Sequence, residues 1–330
     1  MPSHLEEGQV NHYRVRRLKD KLGTRGLPTG EIDLLGAHAA EVAPPPEGFR
    51  LMMEALTYSR VHNAVGAAGA QRRALDEALA WAVRRRAFGQ AIVTYPMVQA
   101  TLTEQQVRWR AGTLLAFEAA LTLDEALQVP EQRTWLRLST ALAKYLTAEE
   151  AVGSARSTLE LIGGNGYTSD YPAARLLRDA QVLTVWEGPA NVQALELLRL
   201  LAPRYGGFQV YTARLEGILA ALPEPLDDLR LALTDRLTGD RQAFKVTTAS
   251  PDQSQRYARQ LLHRLAQSLA LALLVEDAAR SEGSGDPTPA AAARAYHELL
   301  TPPTFGEENR GVRQLLLDDL MRDDRLREEA

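Results

Sequence analysis

Three stretches of this chain hold residue types that could do chemistry. In "VWEGPANVQ", Glu187 stands between Trp186 and Gly188. A carboxylate beside an indole on a glycine loop can be stripped of water and tuned toward a general base, although Glu-Gly pairs also occur in ordinary turns. In "RRRAFG", residues 84–89, an arginine could reach a phosphate while Phe88 packs on something flat; equally, the arginines could be a solvated helix end that complements the macrodipole. In "IGGNGY", Gly163 and Gly164 either turn backbone N–H groups toward an anion or make a tight turn between helices. The six histidines, at 4, 12, 38, 62, 263 and 297, show no i, i+3 or i+4 pairing and no HExxH, so no helical metal site is expected. Neither a GxSxG nor a P-loop is present, which leaves acyl-enzyme and nucleoside-triphosphate chemistry without support.

The elements that must position these residues are mostly helical. "HYRVRRLK" and "TGEIDLLGA" alternate in part and are separated by Gly/Pro punctuation, which predicts two strands joined by turns. "APPPEG", residues 43–48, can continue neither strand nor helix and marks a boundary. From Phe49, Leu75, Leu79 and Val83 recur at a spacing of four and predict a helix to residue 87, closed by Gly89. Further helices are expected from Pro96 to about Leu127 and from about Glu131 to Leu161. "PAARLLRDAQ" and "PANVQALELLRLLA" then read as two shorter helices flanking the Glu187 loop. Long helices joined by short loops pack as an antiparallel bundle. After residue 203 the helical pattern resumes, with Ser250 as an N-cap and Pro251 in the first turn of a long amphipathic helix. Two more helices should follow, and "DDLMRDDRLREEA" reads as a fraying terminus.

Composition narrows the function classes. A hydrophobic content of 45% supports a sizeable core, and a formal charge of −4 gives no general attraction to nucleic acid or anionic membranes. The absence of cysteine excludes disulfides and thiolate chemistry and fits a reducing compartment. With neither a signal-type N-terminus nor an apolar run long enough to span a bilayer, the expected location is cytoplasmic.

In order and spacing, "RRAFG", "ELIGGNGYTSDYPAARLLRDA" and "VWEGPANVQ" resemble the helical C-terminal part of the flavin-dependent acyl-CoA dehydrogenase family, from about Phe49 to Leu201. "KLGTRGLPTGEIDL" looks like the end of that family's β-domain. The resemblance implies a mainly α fold: an antiparallel four-helix bundle over residues 46–202, a β remnant in 1–45 and extra C-terminal helices in 203–330. It implies FAD as cofactor and an acyl-CoA thioester as substrate. Glu187 would remove the α-proton while the β-hydrogen leaves as hydride to the flavin. Arg85, with Phe88 beside it, would contact a flavin held mainly by a neighbouring subunit, so a homo-oligomer, dimer or tetramer, is implied. Gly163, Gly164 and Asn191 would also lie on the cofactor side, and Arg60 and Gly188 on the substrate side. An electron-transfer flavoprotein would take the electrons onward.

The sequence departs from the family pattern at several points. Pro189 replaces the usual threonine, removing a hydroxyl and an N–H, and Glu160 replaces a glutamine. Asn191 and the helices beyond 202 resemble the branch linked to the adaptive response to alkylation, whose extension is associated with DNA. Residues 203–330 hold 16 basic and 20 acidic residues, however, and a duplex-binding surface should be basic. The sequence also starts near the end of the β-domain, so about half of the family's site is expected here. A silent helical scaffold that kept the bundle without the flavin pocket is therefore the alternative reading.

Overall fold

A computed structural model of the chain describes residues 2–5, 8–301 and 310–322. Strands β1 (Tyr13–Leu18) and β2 (Gly30–Leu34) pair antiparallel with a bulge between Val15 and Arg17. Cross-strand ion pairs Arg14–Asp33, at 3.0 Å, and Arg17–Glu31, at 2.9 Å, line the hairpin. Its turn sits tightly against the helical body. A Cβ added at Gly23 would lie 2.3 Å from the Arg178 carbonyl oxygen, and the Thr24 N–H donates to Asp179 Oδ1 at 2.5 Å.

Three long helices follow: α1 (Glu47–Arg84), α2 (Pro96–Gln128) and α3 (Arg133–Ile162). They run up, down and up. Gln71 on α1 donates to the Thr147 carbonyl of α3 at 3.1 Å, and further along both helices Thr158 donates to the Ala74 carbonyl at 2.9 Å. Alanines fill this seam: Ala64, Ala67, Ala74 and Ala78 of α1 and Ala148, Ala151 and Ala155 of α3 are buried. Small side chains let the axes approach closely. Gly112 of α2 leaves room for Gln71, since a Cβ there would stand 3.0 Å from its Nε2.

Helix α1 stops earlier than the spacing predicts. Residues Arg86–Ala87 (β3) pair with Gln90–Ala91 (β4), so Gly89 serves the turn of this small hairpin instead of closing the helix. The Ile92 N–H donates to the Arg85 carbonyl, and Tyr95 Oη donates to the carbonyls of Ala87 and Phe88, at 2.9 and 3.2 Å. These bonds satisfy backbone groups that one more helical turn would have used. Only Arg84 of the three arginines is helical.

Helices α4 (Pro172–Leu183) and α5 (Ala190–Leu201) flank the Glu187 loop as expected. Beyond them come α6 (Gly207–Ala221), α7 (Asp227–Thr247), α8 (Pro251–Ser281), α9 (Thr288–Leu300) and α10 (Arg310–Met321). Ser250 caps α8: its Oγ accepts from the Gln253 N–H at 3.2 Å. Residues Leu269 to Val275 of α8 are all buried, as in a helix surrounded on every side. Its neighbours include α2, α3, α5, α7 and α9. One continuous core therefore joins Val61 and Leu142 of the bundle to Leu265, Tyr296 and Leu316. The arginine Arg214 of α6 binds Glu118 of α2 and Glu276 of α8, at 2.9 and 2.8 Å, across the same junction.

The start of "DDLMRDDRLREEA" does not fray. Asp319 on α10 accepts from Arg110 at 2.7 Å and Gln106 at 2.8 Å, and Leu320 is buried beside Leu75 and Leu79. Apolar contact and a charged anchor on α2 hold this segment in place. Residues 323–330 of that stretch lie outside the described ones.

Candidate functional site

Glu187 adopts φ 58°, a left-handed conformation that costs a non-glycine residue about 1–3 kcal/mol. The turn arises because α4 ends at Leu183 while Pro189 must precede the first turn of α5, where its carbonyl accepts from the N–H groups of Val192 and Gln193. Gly188, at φ 99°, occupies a conformation that suits glycine, and a Cβ on it would lie 2.8 Å from Gln193 Nε2.

Donors from three helices hold this turn. Arg60 Nε of α1 donates to the Glu187 carbonyl at 3.0 Å. Lys144 Nζ of α3 donates to the Gly188 carbonyl at 2.8 Å. Gln193 Nε2 of α5 donates to both carbonyls, at 3.0 Å each. With its backbone fixed, the Glu187 side chain is half-buried, and its Oε2 has no hydrogen-bond partner despite being shielded from water. An unsatisfied buried carboxylate oxygen is costly. Trp186, next in sequence, is 42% exposed.

Lys144 and Gln193 were not singled out in the sequence. Both are fully buried, and burial pushes the Lys144 ammonium down to about 8, helped by the charge of Arg60 and opposed by Glu149 and Glu187. A lysine in a helical run ordinarily reads as surface. The one available signal was that Lys144 falls among Leu142, Ala143, Tyr145 and Leu146.

Arg60 also lines a cleft of about 540 Å³ between α1, the end of α2, α3 and α5. Phe49, Met53, Leu123, Leu127 and Leu136 give it apolar walls, and Arg50, Arg133, Arg137 and Arg199 stand around it. Arg137 is committed to Glu196, its Nε donating at 2.9 Å.

The remaining sequence candidates lie elsewhere. Arg85 borders a second cleft, about 430 Å³, with Trp81, Ile162, Tyr171 and Pro172. This brings the "RRRAFG" and "IGGNGY" stretches together. Gly163–Tyr167 is a short 3₁₀ turn, with Gly163 at φ 76°, so the tight-turn reading describes its backbone. An added Cβ at Gly163 or Gly164 would meet nothing within 4 Å, so this backbone face is open. Phe88, at φ 50°, projects a ring that is 97% exposed. Asn191 is exposed in the first turn of α5. Arg60 lies on α1 and Arg85 immediately follows its last residue, about 37 Å away at a rise of about 1.5 Å per residue. One copy of the chain thus holds the Glu187 cluster and the Arg85 cluster far apart.

Residues 46–201 match the family model described as the acyl-CoA dehydrogenase C-terminal domain. Residues 46–201 belong to the acyl-CoA dehydrogenase C-terminal domain family. The acyl-CoA dehydrogenase family member 11 of Caenorhabditis elegans is 32% identical over 286 residues, spanning 84% of this chain and 46% of that protein. The putative acyl-CoA dehydrogenase AidB of Escherichia coli is 30% identical over 210 residues, spanning 64% of this chain and 39% of the relative. The crystal structure of C. elegans ACDH-11 in complex with C11-CoA superposes with a TM-score of 0.82 at 30% identity, over 90% of this chain and 51% of that one. The chain therefore spans about half the length of these relatives. Its similarity to the nematode protein extends well past residue 201, consistent with the core shared between the bundle and the helices that follow. Among the described residues, no helix is long and apolar enough to cross a membrane.

Proposed function

We propose that this chain works in FAD-dependent α,β-dehydrogenation of an acyl-CoA thioester, with Glu187 as the base. The carrying observation is the unpartnered, buried Oε2 of Glu187 on a loop whose two carbonyls are held from three helices. A rigid backbone places the carboxylate for proton transfer. The cleft beside Arg60 has the apolar lining an acyl chain requires and guanidinium groups suited to the phosphates of CoA.

The chain's own residues fit a flavin dinucleotide. Arg85 offers a cation, Phe88 a flat exposed ring, Gly163 and Gly164 an open backbone face, and Asn191 an exposed amide beside a helix N-terminus. Pro189 offers no N–H there. FAD, when bound, supplies the hydride acceptor. The span between Arg60 and Arg85 favours a flavin site shared by two copies, Glu187 from one and Arg85 with Phe88 from another. Exposed Phe117 and Leu121 on α2 and Leu195 on α5 are available to such an assembly, a dimer or tetramer. An electron-transfer flavoprotein would then reoxidise the flavin, in the cytoplasm.

DNA binding through the later helices is not part of this reading. Arg214, Arg230, Arg241, Arg256, Arg264, Arg280 and Arg294 each face a carboxylate within ion-pair distance, which leaves them poorly placed to neutralise phosphates.

The test is flavin retention. Protein incubated with excess FAD and freed of unbound cofactor by gel filtration should keep the visible flavin spectrum, and acyl-CoA should bleach it. A colourless protein would count against the dehydrogenase reading and for the silent scaffold.

A further inference from the structure

We infer that Lys144 is a positioning residue for the proposed base: its ammonium, donating to the Gly188 carbonyl, locks the left-handed turn that presents Glu187. The inference rests on the reading of Glu187 as the base. Lys144 is 1% exposed, and among the described residues no carboxylate lies within ion-pair distance of it. A buried ammonium without a counter-ion is strongly disfavoured, so its presence in the middle of α3 requires a compensating partner. The only such contact of its Nζ among the described residues is the Gly188 carbonyl.

The carbonyls of two successive residues, Glu187 and Gly188, thus receive two cations, Arg60 from α1 and Lys144 from α3. Gln193 bridges them. A charge-assisted bond of this kind is stronger than a neutral one and offsets the strain of a left-handed non-glycine residue. Without the ammonium, Glu187 could relax to an ordinary conformation and swing its carboxylate away. The charged groups facing Lys144 are Arg60 on α1, Glu149 on α3 itself and Glu187 on the loop. Because its proton is released near pH 8, the clamp should weaken as pH rises through that value.

Amide NMR of the loop tests this in the protein alone. In the wild type, the Gly188 resonance should titrate with a midpoint near pH 8. In Lys144→Met the inflection should vanish, and the order parameters of the Glu187 and Gly188 amides should fall from about 0.85 to below about 0.6. A Gly188 resonance that stays flat across about pH 7 to 9, or a folded Lys144→Met with wild-type loop order, would overturn the assignment. If Lys144→Met does not fold, the wild-type titration decides. Flavin and thioester are absent from both measurements, so failure of the dehydrogenase reading shows in flavin retention and not in the loop resonances.

Discussion

The Nε of Arg60 donates a 3.0 Å hydrogen bond to the carbonyl of Glu187, 127 positions further along the chain. It joins the first long helix to the loop that carries the proposed base. Replacing Arg60 with alanine leaves that carbonyl one donor short, and should cost roughly 1.5–3 kcal/mol. Arg60→Lys should not restore it, because a point charge on a shorter reach does not reproduce the aligned Nε–H. Urea unfolding of both variants measures this; midpoints equal to wild type would show that Gln193 holds the carbonyl unaided.

Glu187→Gln keeps the shape of the side chain and removes its basicity. If the enzyme is assembled and loaded with FAD, acyl-CoA-dependent flavin reduction should fall by at least about 100-fold, the usual contribution of a general base. Flavin content should stay near that of the wild type. Reduction at a comparable rate would move the proton transfer to another residue.

Phe88 is 97% exposed and touches little of its own chain. Phe88→Ala should therefore change unfolding stability by no more than about 0.5 kcal/mol. If the ring packs on a flavin held by a second copy, the same variant should lose retained FAD. A variant that keeps its full flavin complement would remove Phe88 from the cofactor site.

Asp240 is completely buried, where burial raises its carboxyl above the usual range. It accepts from Tyr211 Oη at 2.7 Å and Ser268 Oγ at 3.0 Å. Arg264 Nε lies 2.8 Å from Oδ1, an ion pair by distance without hydrogen-bond alignment. Asp240→Ala would leave the Arg264 guanidinium without its carboxylate and the Tyr211 and Ser268 hydroxyls without that acceptor in the core, and breaking such a network should cost roughly 3–5 kcal/mol. Because the core is continuous, the loss should appear in one cooperative denaturation curve. An early transition confined to the later helices would mean that the two regions unfold separately.

Burial lowers Lys144 from 10.5 to about 8. Between those values the unfolded chain binds a proton that the folded chain does not, so stability contributed by this group rises with pH across about 8 to 10.5. Below about 8 both states are protonated, and the folded state bears the full cost of the buried charge, at most roughly 3 kcal/mol. Unfolding free energies of wild type and Lys144→Met, compared from pH 7 to about 10, should show the wild type gaining relative to the variant. A constant difference would place the ammonium in water.

The sequence by itself determined the helices, since apolar spacing, Pro251 after Ser250 and the prolines at 44–46 are local signals with local physical causes. It also placed Glu187 on a loop between two short helices, because Gly188 and Pro189 disrupt regular structure wherever they occur. Tertiary structure decided what surrounds these elements. A lysine's periodicity cannot tell a solvated side chain from one turned inward to a carbonyl, so Lys144 was invisible until α3 packed beside the Glu187 loop. Gly89 could have closed a helix or served a hairpin turn, and the bonds from Ile92 and Tyr95 selected the turn. Charge made Asp319 look solvent-loving, yet Arg110 and Gln106 on another helix capture it. The rise along α1 sets Arg60 and Arg85 about 37 Å apart, a span that no single motif records. Distances of that kind are set by how whole helices pack, and neighbouring residues in sequence carry no record of them.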